Sequence, residues 1–245
     1  MQPLIIAFQL LTRIPIPIAV ERSSRNQGYS ILFYPLVGAV IGGILVLFAE
    51  LFALLFLDHF LELQAALILI LWVGLTGGLH LDGLADSADS WVGGMGDRER
   101  MLEIMKDPSS GPMGVTAIVL LLLLKWSALL ALFKSGDQSL LIWAPLLART
   151  LLIGLFQTTL YLRERGMGER ISENIPNIGG VAVQVVMFGA AIYFGVGWLQ
   201  VLLLFIAALI FRWLVVKQLG GITGDVAGAM VEKMEALLLI LIVLL

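Results

Sequence analysis

Long apolar segments alternate with short polar connections along most of the chain. A bilayer core of about 30 Å is crossed by about 20 apolar residues in a helix. Seven segments approach this length: residues 31–57, 62–79, 114–133, 140–162, 180–196, 198–216 and 229–245. The last is the weakest, because Glu232, Lys233 and Glu235 lie in its first half. Residues 1–11 are apolar but short, which favours a helix at the membrane interface. The pattern predicts one all-α domain over residues 1–245, a polytopic integral membrane protein with about six or seven transmembrane helices.

Composition narrows the class of protein. The chain is 60% hydrophobic and 13% charged, whereas soluble domains average about 25% charged residues. A soluble helical enzyme is therefore a poor alternative. The absence of cysteine excludes disulfides and thiolate metal sites. A net charge of −3 argues against nucleic acid as a partner.

Basic residues mark one side of the predicted bundle. The connections on the other side are residues 58–61, 134–139 and 195–197. They contain a single Lys or Arg, which is Lys134. The positive-inside rule therefore places the N-terminus and the polar segments 80–113, 163–179 and 217–228 in the cytoplasm. The basic residues that support this orientation are Arg13, Arg22, Arg25, Arg98, Arg100, Lys106, Arg163, Arg165, Arg170, Arg212 and Lys217.

Three carboxylates follow the second apolar segment in the run from residue 77 to residue 91. In a helix, Asp82, Asp86 and Asp89 are spaced i, i+4 and i+7 and share one face. Like charges this close repel each other, and oxygen-only ligands favour a hard cation such as Mg²⁺. The spacing predicts a Mg²⁺ site here. An acidic helix end that is solvated by water is the alternative.

His80 and Asp82 are the candidates for catalysis in this segment. The pKa of histidine lies near neutrality, which suits general acid–base chemistry. A regular helix would keep His80 off the aspartate face, but a bend at Gly77–Gly78 or at Gly83 could bring it to the same cavity. A histidine that only packs at the interface is equally compatible.

A second polar segment covers residues 98–114. It predicts an amphipathic helix followed by a turn rich in Pro, Gly and Ser, directly before the third apolar segment. Backbone N–H groups in such a turn and at the next helix N-terminus can bind an anion. Lys106 could neutralise a phosphate there. A membrane-surface helix with an ordinary turn is the alternative.

A third polar segment covers residues 220–232. Four glycines in nine residues would let the backbone approach a ligand closely. Asp225 and Glu232 are spaced i, i+7 and could face one cavity, near Gly221 and Thr223, as further metal ligands. Helix packing with Asp225 as an N-cap is the alternative.

Two features inside the predicted spans concern helix packing. Gly38 and Gly42 form a small-xxx-small pair that permits close helix contact. Lys125 and Arg149 are expected to face the protein interior or water. Either they snorkel or they form a structural ion pair, for example with Glu50.

Taken together, the segments indicate metal-assisted phosphoryl transfer at the cytoplasmic membrane face. Acidic residues at two segments, basic residues between them and Gly-rich turns are the components that this chemistry uses. Another Mg²⁺-dependent membrane phosphotransferase, a prenyltransferase and a metal or ion transporter are alternatives. A transporter predicts acidic residues near the bilayer midplane.

The chain also resembles the cobalamin synthase family, the adenosylcobinamide-GDP ribazoletransferases. The resemblance rests on residues 12–17, 34–38, 77–89, 97–107 and 219–232, together with Gly111 and Gly114. It implies a Mg²⁺-dependent enzyme of the cell inner membrane. Such an enzyme joins adenosylcobinamide-GDP to α-ribazole, or to its 5′-phosphate, and releases GMP. The resemblance further implies that substrate is bound at Arg13, Lys106, Asp107, Gly221 and Thr223. A homo-oligomer is compatible with the chain.

Overall fold

The computed structural model describes residues 1–56, 59–163 and 167–245. Arg165, which entered the orientation argument above, lies outside these residues. The described residues form twelve α-helices and two short 3₁₀ helices, Ile31–Phe33 and Gln138–Ile142. The α-helices are α1 (Gln2–Leu11), α2 (Ser24–Ser30), α3 (Tyr34–Phe56), α4 (Leu61–Thr76), α5 (Leu79–Gly93), α6 (Arg98–Ile104), α7 (Pro112–Ser135), α8 (Trp143–Thr158), α9 (Met167–Glu173), α10 (Asn177–Tyr193), α11 (Trp198–Leu219) and α12 (Gly224–Leu244).

The prediction of an all-α polytopic membrane protein is confirmed. Within the described residues, four helical segments are long and apolar enough to cross a membrane: Ser24–Phe56, Pro112–Ser135, Gln138–Thr158 and Trp198–Leu219. The pair α4 and α5 makes a fifth if it is counted as one broken span. The other predicted spans, 180–196 and 229–245, correspond to α10, which has only 17 residues, and to the charge-bearing α12.

A sharp bend separates the apolar α4 from the polar α5. The two helices meet at 88°. Gly77 and Gly78 form the bend with φ of 64° and 68°, a left-handed conformation that favours glycine. The bend takes α5 out of the line of α4 and packs it against α7 and α12. The four candidate spans therefore do not include α5.

Close packing of α3 against α8 confirms the prediction for Gly38 and Gly42. A Cβ atom on Gly38 would lie 2.3 Å from the carbonyl oxygen of Pro145. One on Gly42 would lie 2.7 Å from Cα of Ile142, just before α8. Since both obstacles are backbone atoms, only glycine permits this approach.

We predict that Gly38→Ala lowers the free energy of unfolding by about 1–3 kcal/mol, because the added methyl group forces α3 and α8 apart. Gly43→Ala on the same helix is the matched control, since nothing lies within 4 Å of its Cβ position. Denaturant unfolding in detergent micelles measures both. Equal loss of stability in the two variants would contradict the packing argument.

Four charged side chains form an ion cluster in the interior of the bundle: Lys125, Arg149, Glu232 and Glu235. The ammonium of Lys125 lies 2.6 Å from a carboxylate oxygen of Glu232 and 2.6 Å from one of Glu235. The guanidinium of Arg149 lies 2.6 Å from the other oxygen of Glu235. All four residues are buried. The cluster has no net charge and joins α7, α8 and α12.

The cluster corrects two predictions. Glu232 was predicted as a metal ligand facing the cavity of Asp225. Its carboxylate instead binds Lys125 inside the bundle, and this position does not support a role in the metal site. Glu50 was the suggested partner of Lys125 and Arg149. Glu50 is exposed, and the partners of the two cations are Glu232 and Glu235 of α12.

We predict that Glu235→Gln lowers the free energy of unfolding by about 3–5 kcal/mol, because two buried cations are left with one carboxylate. Glu62→Gln is the control. Glu62 forms an exposed pair with Lys134 at 3.9 Å, and such pairs contribute less than about 1 kcal/mol. Unfolding in detergent micelles distinguishes the two. A Glu235→Gln protein as stable as Glu62→Gln would show that the cluster does not stabilise the fold.

Candidate functional site

The three polar segments predicted from the sequence meet at one place in the structure. Helix α5 crosses the start of α12 so closely that a Cβ on Gly83 would lie 2.8 Å from Cα of Asp225. The segment after α8 pairs with the Gly-rich loop, since Ile222 N donates to Leu160 O at 2.8 Å. The polar segments thus form one continuous surface, which we call the acidic site.

Three carboxylates, those of Asp82, Asp86 and Asp225, define the acidic site. Asp82 is exposed and Asp86 is half-buried, and neither has a hydrogen-bond or salt-bridge partner among the described residues. Burial raises the pKa of Asp86 to about 6, helped by repulsion from Asp225 and Asp82 and opposed by Arg163. Burial likewise raises the pKa of Asp225, although Arg163 and Thr223 oppose the shift. The site therefore concentrates negative charge that nearby groups neutralise only in part.

Two arginines lie next to the acidic site, one paired with a carboxylate and the other over the Gly-rich loop. The guanidinium of Arg163 lies 2.8 Å from Asp225 and also donates to the carbonyl oxygen of Met105 at 2.8 Å. Arg98 lies over Gly220, with its guanidinium 3.4 Å from the position of a Cβ there. From the sequence, both residues were evidence only for the orientation of the bundle. Their position just outside apolar spans was the available signal, but spacing alone could not pair Arg163 with Asp225 or place Arg98 over Gly220.

Asp89 does not join the other carboxylates. Its two oxygens accept hydrogen bonds from the backbone N–H groups of Gly111, at 2.6 Å, and Gly114, at 2.9 Å. These groups belong to the free N-terminus of α7, which attracts a negative charge. The anion site predicted in this turn therefore exists, and the anion is the protein's own Asp89. This position does not support the prediction that Asp89 is a metal ligand.

The donor atoms of the acidic site have the chemistry that a hard cation requires. Within residues 1–56, 59–163 and 167–245, however, no three His, Asp or Glu side chains converge closely enough to hold a metal ion. Mg²⁺ commonly takes one or two carboxylates and completes its shell with water and phosphate oxygens. Asp86 and Asp225 fit that arrangement, with Asp82 beside them. They do not form a cage made of protein atoms alone.

His80 is buried at the crossing of α5 and α12, where its backbone packs against Gly228. As the helical spacing indicated, it does not share the face of Asp82. Its Nδ1 has no hydrogen-bond partner among the described residues. Of the two places considered for a bend, the chain bends at Gly77–Gly78, and His80 is nevertheless buried against Gly228. This position does not support the predicted acid–base role.

The Gly-rich loop is held by its backbone and by Thr223. A Cβ on Gly221 would lie 2.4 Å from Leu160 O, so the close approach predicted here is to another part of the chain. Thr223, fully buried, caps α12 by accepting a hydrogen bond from Val226 N at 3.3 Å. Asp225 was the alternative cap. It pairs with Arg163 instead.

The remaining predicted substrate-binding residues lie on two sides of this surface. Arg13 is exposed and lies over Gly77 at the bend between α4 and α5. Lys106 and Asp107 are exposed in the turn after α6, where Asp107 accepts a hydrogen bond from Ser109 N at 2.9 Å. They follow Met105, which Arg163 contacts. No described contact joins these three side chains to the carboxylates.

Comparison with known proteins adds an independent line of evidence. Residues 3–243 match the family model described as cobalamin-5-phosphate synthase. The chain belongs to this family. Proteins named adenosylcobinamide-GDP ribazoletransferase are its relatives, including one from Pseudomonas syringae that is 46% identical over 100% of both chains. Another, from Pseudomonas aeruginosa, is 48% identical over 100% of this chain and 98% of its own. No solved structure matches the chain.

For this member of the cobalamin-5-phosphate synthase family, we predict that Asp89→Ala lowers the free energy of unfolding by about 1–3 kcal/mol, because two N–H groups lose their acceptor. Asp89→Asn keeps one oxygen and should lose less. Asp82→Asn is the control, since its side chain accepts no hydrogen bond from a described residue. Denaturant midpoints compare the three. Wild-type stability of Asp89→Ala would contradict the capping role.

Proposed function

We propose that the protein is an adenosylcobinamide-GDP ribazoletransferase that acts at the membrane face bearing the acidic site. The observation that carries the proposal is that Asp82, Asp86 and Asp225 lie near one another in a chain of this family, with Arg163 paired to Asp225 and Arg98 over the Gly-rich loop. Arginines bind phosphate oxygens through several N–H donors. Carboxylates beside them suit a phosphate only when a cation lies between. A diphosphate substrate with a bound cation would suit both the arginines and the carboxylates.

The reaction transfers the corrinoid phosphate. A ribose hydroxyl of α-ribazole, or of α-ribazole 5′-phosphate, attacks the corrinoid-side phosphorus of adenosylcobinamide-GDP. One P–O bond forms, the bond to the GMP oxygen breaks, and the hydroxyl loses its proton. The products are adenosylcobalamin, or its 5′-phosphate, and GMP. In this scheme Arg163 and Arg98 bind the diphosphate, and the exposed Asp82 is the carboxylate open to take the proton.

Mg²⁺ is part of this proposal. Asp86 and Asp225 would hold it, and it would neutralise charge on the diphosphate. The raised pKa of Asp86 supports this assignment, because burial and neighbouring carboxylates destabilise its charge when no cation is present. Asp89 is left out of the proposed ligand set because each of its oxygens already accepts a backbone hydrogen bond, from Gly111 or from Gly114.

The proposed location is the cell inner membrane, with the acidic site on the cytoplasmic face. The basic residues support this orientation, because Arg98 and Arg163 lie at the acidic site and Lys134 lies at the other end of α7. Corrinoid and nucleoside substrates would then reach the site from the cytoplasm, while the lipid bilayer surrounds the apolar helices.

A transporter is a weaker explanation. It would need an acidic side chain in the bundle interior that is free to bind an ion. Glu232 and Glu235 occupy such positions, but both are neutralised by Lys125 and Arg149. The family match likewise favours a cobalamin synthase over another membrane phosphotransferase or a prenyltransferase.

We predict that the purified protein, supplied with adenosylcobinamide-GDP, α-ribazole and Mg²⁺, forms GMP and adenosylcobalamin in equal amounts. Removal of divalent cations with EDTA should stop the reaction, and added Mg²⁺ should restore it. Asp86→Asn should lower kcat at least about 100-fold, since losing one charge-stabilising group costs factors of this order. Liquid chromatography of both products measures the result.

Glu62→Gln, on the exposed pair far from the acidic site, is the control for this assay. Failure of the wild-type protein to release GMP would overturn the proposed function. Full activity of Asp86→Asn would leave the function standing but would remove Asp86 from the site.

A further inference from the structure

A groove of about 450 Å³ opens beside the acidic site and is used by nothing described above. Its walls come from α5, α7, α11 and α12, and they are mostly apolar. Small-molecule sites in proteins commonly have volumes of roughly 300–1,000 Å³ and apolar walls with a few polar groups. The groove therefore has the size and the lining of a ligand site.

The groove borders the acidic site at two points of the chain. Ser87, on its α5 wall, directly follows Asp86, and Val226, on its α12 wall, directly follows Asp225. From Asp225 the α12 wall runs to Lys233, which is eight residues or about 12 Å along a helix. A molecule in the groove would thus extend from the carboxylates for about the length of a nucleoside.

The lining favours an aromatic ring over an acyl chain. Trp91 lies on the α5 wall and Phe211 on the α11 wall, and aromatic walls suit a flat ring. The hydroxyl of Ser87 is buried and has no hydrogen-bond partner among the described residues. The ammonium of Lys233 lies 5.2 Å from the ring centre of Phe211 and has no described carboxylate partner. An acyl chain would leave both polar groups unsatisfied, whereas a heteroaromatic base can accept a hydrogen bond.

We infer that the groove binds the apolar base of the nucleoside acceptor, with the ribose directed toward Asp86 and Asp225. This inference rests on the proposed function, which makes the acceptor α-ribazole, a nucleoside of a methylated benzimidazole. The base has a flat apolar face for Trp91 and Phe211. Its unsubstituted ring nitrogen accepts a hydrogen bond from Ser87. The corrinoid diphosphate lies outside the groove, at the arginines.

The test fills the groove without touching the acidic site. Ala117 lies on the α7 wall, and Ala117→Trp places a large ring in the space of the base. The KM for α-ribazole should rise at least tenfold, while the KM for adenosylcobinamide-GDP should change less than twofold. Free dimethylbenzimidazole should compete with α-ribazole in the wild-type protein and lose this effect in Ala117→Trp.

Val119→Trp is the matched control. Val119 is 50% exposed on the same helix and lies outside the groove, so both KM values should stay at wild type. Ser87→Ala provides a milder test if Ala117→Trp does not fold. Loss of one hydrogen bond should raise the KM for α-ribazole about threefold to tenfold, with the KM for the corrinoid unchanged.

The failures of the two proposals differ. If the wild-type protein releases no GMP, the proposed function is wrong. If folded Ala117→Trp releases GMP normally and its KM for α-ribazole is unchanged, only the groove inference is wrong. A second result would also contradict the groove inference. If the variant keeps this KM but no longer carries the phospholipid that mass spectrometry detects with the purified wild-type protein, the occupant of the groove is a lipid.

Discussion

Glu235 binds two cations at once in the interior of the bundle, and the position of α12 depends on this arrangement. One of its oxygens faces Arg149 of α8 and the other faces Lys125 of α7, each at 2.6 Å. In a medium of low dielectric, an unpaired charge is far more costly than a shifted apolar contact. Sliding or rotating α12 by one residue would separate these charges. The ion cluster therefore fixes the register of α12 more strictly than apolar packing could.

That register determines the geometry of the acidic site. Asp225 lies ten residues before Glu235, about 15 Å along the helix axis, so it is positioned by contacts far from it. Helix α5 completes the arrangement because it runs antiparallel to α12, with His80 against Gly228 and Gly83 against Asp225. A side chain at either glycine would push the helices apart. The carboxylates of α5 and α12 would then no longer share a surface.

Much of this architecture can be predicted from local patterns in the sequence. Hydropathy predicted the all-α bundle, Gly38 and Gly42 indicated a close helix contact, and spacing predicted that Asp82 and Asp86 lie on one helix face. A bend was considered at Gly77–Gly78 or at Gly83, and the structure has it at Gly77–Gly78. The two metal-ligand predictions that the structure does not support, Glu232 and Asp89, concern partners far apart in the chain. Glu232 and Asp89 have the residue types of metal ligands, but Lys125 binds the first and the N-terminus of α7 binds the second. Periodicity describes one helix at a time and contains no information about which residue of another helix lies opposite.

The role of each carboxylate in this protein depends on which group neutralises its charge. Glu232 and Glu235 have cations of the chain itself, and Asp89 has backbone N–H groups, so these three stabilise the fold. In the part of the chain that the structure describes, Asp82 and Asp86 have no such partner, and Asp225 pairs with one arginine. Burial of these charges, together with their mutual repulsion, works against the folded state, as the raised pKa of Asp86 records. A group of charges that destabilises its own protein is best explained by something that binds there, because a cation bound only by the folded chain returns the lost free energy. The same reasoning separates the two clusters in function: the neutral one inside the bundle has nothing left to bind, and the acidic one at its edge does.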